Sequence, residues 1–184
     1  MRLAILRLSQ PWLLLLLGSC SRPTVPTVEL ALGPDSTFSF TPTVGFAEYY
    51  QLPDGSDRLR ITLASYAADC AKFVPVPERA VSIALELESS MGRALAPGEF
   101  TMGAADPASK GGKASSFVRL FSDSRSLNSN GLLKLEKLEP RQHGLVAGEV
   151  HQVPGLGQDP AALSGRFRVR ICRAVLDSNR KDEP

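Results

Sequence analysis

The sequence is short of several things that would point to a specific activity. It has only two histidines and three cysteines in 184 residues. The histidines, His143 and His151, stand eight positions apart on one strand-like segment, roughly 25 Å when extended. They cannot meet at one ion by local geometry, so no metal site is expected, and strand-end surface histidines are the plainer reading. There is no C-x-x-C, and no histidine lies near Cys70 or Cys172. No G-x-S-x-G elbow is present; Ser164-Gly165 reads as a turn at a strand start. Lys110-Gly111-Gly112-Lys113 lacks the spacing and the following hydroxyl residue of a phosphate-binding loop. No segment approaches the roughly 20 apolar residues needed to cross a bilayer as a helix, and no internal repeat is visible. No cofactor is therefore expected, and no catalytic residue is assigned.

What is present begins at the N-terminus. Residues 1–12 carry Arg2 and Arg7 as their only charges, followed by the apolar run Leu13 to Leu17 and the small residues Gly18 and Ser19. A positive start, a short apolar core and a small-residue end describe a secretory signal peptide. Pro11, Ser9 and Gln10 interrupt the apolar character, which argues against a membrane-spanning helix. Removing residues 1–19 takes away both arginines. The precursor's 21 basic and 19 acidic side chains then become 19 of each. A neutral mature chain speaks against a nucleic-acid partner, which would call for a basic surplus.

Leu17-Gly18-Ser19-Cys20 resembles the bacterial lipobox. That resemblance implies that Cys20 carries a diacylglycerol on its sulfur and becomes the first residue of the mature chain. Ser21 rather than Asp after it implies an outer-membrane destination. Two acyl chains hold a protein stably, at about 0.8 kcal/mol per buried methylene, so no further membrane contact is required for retention. Residues 20–35, rich in proline, are expected to form the lipidated N-terminus and a tether. Residues 36–176 are expected to form one domain, and residues 177–184 a polar tail. A chain of this length can bury a substantial core.

Cys70 and Cys172 are left as a pair in an exported, oxidising setting, where a disulfide is the expected outcome. A reactive thiol or a metal ligand are the alternatives. Closing a loop of about 100 residues stabilises by roughly 4 to 5 kcal/mol in the chain-entropy model.

Along the domain the pattern has period two. Leu59, Ile61 and Leu63 alternate with Arg58, Arg60 and Thr62; Val81, Ile83, Leu85 and Leu87 alternate with Ser82, Glu86 and Glu88; Phe167, Val169 and Ile171 alternate with Arg166, Arg168 and Arg170. Further runs lie at 38–40, 46–52, 99–102, 115–121, 131–138 and 144–150, divided by Gly, Pro, Asn and Asp. Such runs specify an all-β domain. The expected architecture is an antiparallel β-sandwich, immunoglobulin-like or jelly-roll-like, with a small closed β-barrel as the alternative. The run 115–121 does not reveal its buried face. Residues 104–116 and 153–162 read as loops, and a single helical turn is expected near residues 67–73.

The succession L-x-I-x-L (59–63), Cys70, A-P-G-x-F (96–100), S-N-G (129–131), L-V-A-G-E-V (145–150) and L-S-G-R-F-R-V-R-I-C (163–172) resembles a broad group of small, uncharacterised bacterial lipoproteins. The resemblance implies architecture and address, and no activity.

Two polar features merit weighing. Glu86 and Glu88 share a strand face about 6 to 7 Å apart, a spacing compatible with acid–base work on sugars but ordinary for a solvated face. Arg166, Arg168 and Arg170, extended by Arg173, form a basic ladder. It would suit an anionic surface such as phosphate-bearing lipid, lipopolysaccharide core or a partner's acidic patch. The plainer reading, and the favoured one, is a solvent-facing strand whose charges pair with Glu86, Glu88 or Glu136 across the sheet. The sequence thus supports a lipid-anchored envelope protein. It reads as a non-enzymatic module binding a macromolecule, with an envelope protein or polysaccharide as possible partner. A barrel-type small-ligand binder is the alternative, and an envelope enzyme the weakest option.

Overall fold

The computed structural model describes residues 28–32, 37–72, 74–78, 80–102, 112–120, 123–126, 130–152 and 161–177. Cys20 and the leader lie outside the described residues.

Strand formation follows the alternation. Val81–Glu88 (VSIALELE) turns Val81, Ile83, Leu85 and Leu87 inward, all buried, and leaves the residues between them half-exposed. Asp57–Ala64 behaves likewise, with Leu59, Ile61 and Leu63 inside and Arg58 and Arg60 outside. Eleven strands result: β1 (Val28–Leu32), β2 (Thr37–Phe40), β3 (Val44–Gln51), β4 (Asp57–Ala64), β5 (Val81–Glu88), β6 (Gly98–Met102), β7 (Lys113–Leu120), β8 (Asp123–Ser126), β9 (Gly131–Leu138), β10 (Leu145–Gln152) and β11 (Ala161–Val175). No helix occurs among the described residues, so the helical turn expected near 67–73 is replaced there by bends.

The strands do not form two facing sheets. They run β10-β9-β6-β7-β5-β4-β3-β11, and β11 pairs back to β10, closing an eight-stranded barrel. The sandwich expectation is therefore corrected in favour of the barrel. The cause is β11. Its 15 residues pair antiparallel with β10 over Arg170 to Ser164 on one edge and parallel with β3 over Arg170 to Val175 on the other. A strand long enough to join both ends of the sheet removes both edges. Alternation alone cannot foresee this, because inward and outward rows alternate in a sandwich and in a barrel alike. Two junctions are parallel, β11–β3 and β6–β7, and among the described residues the latter is held at the single register pair Met102 and Ala114.

Other boundaries differ from expectation. Val28–Leu32, assigned to the tether by its surroundings, is strand β1 and pairs with β11 at Gly165 to Ala161. Residues 113–116 and 161–162, read as loop, belong to β7 and β11. The register of β7 places Val118 opposite Ile83 and Leu120 opposite Val81.

Apolar side chains of the inward rows pack together inside the barrel. Leu59, Ile61, Ile83, Leu85, Leu87, Leu133, Leu163 and Ile171 are wholly buried, with Phe100, Met102, Val146, Phe167 and Val169 completing the cluster. Eight strands enclose just enough space for such packing, and each fully buried aliphatic side chain contributes about 1.5–3 kcal/mol. At Gly148 a Cβ would collide with the Lys134 carbonyl of β9 and stand 2.8 Å from the Phe167 ring, so the close β9–β10 approach requires glycine there; the β9–β10 register shift falls at the same point, between Ala147 and Gly148.

The disulfide between Cys70 and Cys172 is formed, with Cα atoms 6.2 Å apart and 102 positions between them in the chain. It ties the β4–β5 connection to β11.

Candidate functional site

Polar chemistry lies in two places, a buried cluster at one barrel end and the charged outer wall.

The buried cluster is centred on Asp57, whose side chain is fully enclosed. Its Oδ2 accepts from the Tyr49 hydroxyl at 2.6 Å and from the Leu95 backbone N–H at 2.7 Å. The Asp57 N–H donates to Ser89 Oγ at 2.8 Å, and that hydroxyl donates onward to the Arg93 carbonyl at 2.5 Å. Every contact joins β3, β4 or the segment after β5, so the cluster pins residues 89–95 across the mouth of the barrel. A carboxylate in such surroundings is tolerated because its charge is hydrogen-bonded. Sequence reasoning missed Asp57, since it follows Pro53-Asp54-Gly55-Ser56 and reads as a turn residue. A signal did exist: Asp57 begins the same period-two row as Leu59 and Ile61, which is the buried row.

On the outer wall, Glu86 and Glu88 are both engaged by neighbouring cations. Each faces an arginine directly across the β4–β5 ladder, Arg60 at 3.5 Å from Glu86 and Arg58 at 2.8 Å from Glu88. These are exposed pairs, each worth at most about 1 kcal/mol. Their engagement by β4 also corrects the partner assigned to the arginine ladder of β11.

Arg166, Arg168 and Arg170 do form one exposed outward row. The acidic residue beside them is Glu149 of β10, rather than Glu86, Glu88 or Glu136. Arg166 Nε lies 3.4 Å from Glu149, which also meets Lys134 of β9 at 3.7 Å. Arg170 donates to the His143 carbonyl at 2.9 Å, a bond that leaves its charge uncompensated. Arg168 lies opposite Ala147 in the ladder and has no ion-pair partner among the described residues. Two basic groups more than acidic ones thus remain along the β10–β11 outer row. Arg173 leaves this row. Strict alternation after Ile171 would turn it inward, but the register shift between Ile171 and Arg173 sends it outward, over the Tyr50 ring at 5.8 Å, while Ala174 packs on the core. Tyr50 in turn donates to Glu48 at 2.8 Å, and burial followed by this carboxylate holds its hydroxyl pKa above the usual value.

The histidines are placed apart. His143 occupies the turn between β9 and β10 with φ of 61°, and His151 is exposed at the far end of β10. Among the described residues no three His, Cys, Asp or Glu side chains gather as a metal site. In the same turn, Glu139 accepts from Lys137 at 2.9 Å and from the Leu145 N–H at 3.1 Å, with Arg141 close by. These contacts, Lys137 foremost, lower its pKa to about 2.

In comparisons with protein-family models, curated proteins and solved structures, the chain matched none.

Proposed function

We propose that the mature protein is a lipid-anchored envelope module, attached through Cys20, that binds a macromolecular partner through the outside of its barrel and performs no chemistry of its own. The observation that carries this is the division of side chains. The inward row is apolar packing, and the excess positive charge stands on the outer β10–β11 row at Arg166, Arg168 and Arg170. A small-ligand binder would need a preformed apolar cavity among the inward side chains. The lipobox resemblance supports the anchor, and Ser21 supports an outer-membrane address. An anionic partner, whether an envelope protein, a polysaccharide or lipid phosphate, fits the charge.

The test has two parts. Cys20→Ala is expected to release the protein from the membrane fraction; retention would overturn the anchor. Affinity capture from crosslinked envelopes, comparing the parent chain with an Arg166→Gln, Arg168→Gln, Arg170→Gln variant, is expected to recover a partner that the variant loses. Identical recovery from both would overturn the outer-wall assignment.

A further inference from the structure

The geometry points to the partner of the arginine row: we infer that this wall of the barrel lies against the anionic headgroups of the same membrane that holds the lipid anchor. The inference rests on the anchor proposed above. Its independent basis is where the N-terminal strand attaches. Val28, the first residue of β1, is the ladder partner of Gly165, immediately before Arg166. Because β1 runs antiparallel to β11, its N-terminal end points the way β11 advances, toward Arg166, Arg168 and Arg170. Val28 stands eight positions after Cys20, so the acylated residue lies within about 28 Å of Val28 even when the chain is fully extended.

β1 therefore joins the barrel on the β11 side rather than at the β4–β5 wall, which favours this wall for the membrane-facing role. The charges agree with the geometry. The β4–β5 wall is self-neutralised by its Arg58–Glu88 and Arg60–Glu86 pairs, whereas Glu149 offsets only one of the β11 arginines. Attraction to an anionic surface acts within about a Debye length, roughly 8–10 Å at physiological salt, so the charge selects among the orientations that the tether's reach allows. Guanidinium groups match phosphate oxygens through paired N–H donors. Arg166 to Arg170 spans about 13 Å along the strand, room for contact with more than one headgroup.

The test uses the full lipidated chain in vesicles of phosphatidylcholine with and without 30 per cent phosphatidylglycerol. A fluorophore is placed through Ala147→Cys, on the outer row opposite Arg168, or through Ala84→Cys, on the outer row of β5. Quenching by headgroup spin-labelled lipid then reports proximity to the membrane. In anionic vesicles the label at 147 is expected to be quenched at least three-fold more than that at 84. The ratio should fall toward one in 0.5 M salt and in the triple Arg→Gln variant. Equal quenching at both positions, with the protein floating with the vesicles, would overturn the orientation while leaving the anchor intact, and would leave the row to an acidic protein partner. The same ratio in uncharged vesicles would also overturn it. Failure of the parent chain to float would sink the anchor and this inference together.

Discussion

The Tyr49 hydroxyl donates to the Asp57 carboxylate at 2.6 Å inside the barrel mouth, where Tyr49 is 2% and Asp57 0% exposed. The two residues sit on adjacent strands, eight positions apart in the chain, and the carboxylate they share with the Leu95 N–H fixes the segment that follows β5. A buried charged acceptor cannot lose a donor cheaply, because water does not replace it.

Tyr49→Phe removes that donor with little change of shape. We expect a loss of about 1.5–3 kcal/mol, read as a lower denaturant midpoint at unchanged slope. Asp57→Ala, which strands both the hydroxyl and the Leu95 N–H, should cost more. It should also raise hydrogen exchange at residues 89–95. A Tyr49→Phe variant as stable as the parent would show that the bond contributes nothing net.

The Cys70–Cys172 disulfide is expected to make the protein refractory to thiol reagents without reduction. Cys70→Ser with Cys172→Ser should lower stability by roughly 4 to 5 kcal/mol if the effect is chain entropy. Proteolysis should then cut first within residues 65–80, the connection that the bridge fastens to β11. Free thiols in the native protein would contradict the pairing.

Leu85→Ala should cost about 2–5 kcal/mol and leave an apolar void. Benzene is expected to raise the thermal midpoint of this variant and not of the parent, since the substitution opens a dry apolar cavity of the kind that accepts such a probe. A parent chain stabilised equally by benzene would revive the ligand-binding alternative.

Glu139 sets an acid limit. Its folded pKa of about 2 lies below the ordinary 4.5, so the stability drawn from its contacts with Lys137 and the Leu145 N–H is fully present above pH 4.5. It is lost as pH falls toward 2. Carboxyl-carbon NMR should place its titration near 2, and Lys137→Met should move the midpoint upward, toward the ordinary range. An unshifted midpoint in that variant would assign the effect to the backbone contact and Arg141 instead.

How far each feature was legible depended on how local its cause was. The inward rows of β4, β5 and β11 could be read from the chain because side-chain direction in a strand has period two and burial selects one parity. The arginine row of β11 was legible for the same reason. The partners of those arginines were not. Glu86 and Glu88 sit on a strand that β4 claims first, so the pairing depends on which distant strands become neighbours. Strict parity after Ile171 would have turned Arg173 inward, and a single extra residue keeps it outward, since a bulge reverses the parity of everything beyond it.

By itself, the sequence determined the faces of β4, β5 and β11, the expectation of a bridge between Cys70 and Cys172, and the resemblance to an acylated leader. Each depends on neighbouring residues or on a count. Only the tertiary structure decided that the sheet closes into a barrel, that Asp57 is enclosed, and that β1 begins with Val28 opposite Gly165, beside Arg166. The closure and the place of β1 depend on the register between strands more than 100 residues apart, as where Val28 meets Gly165, and no local periodicity encodes that register.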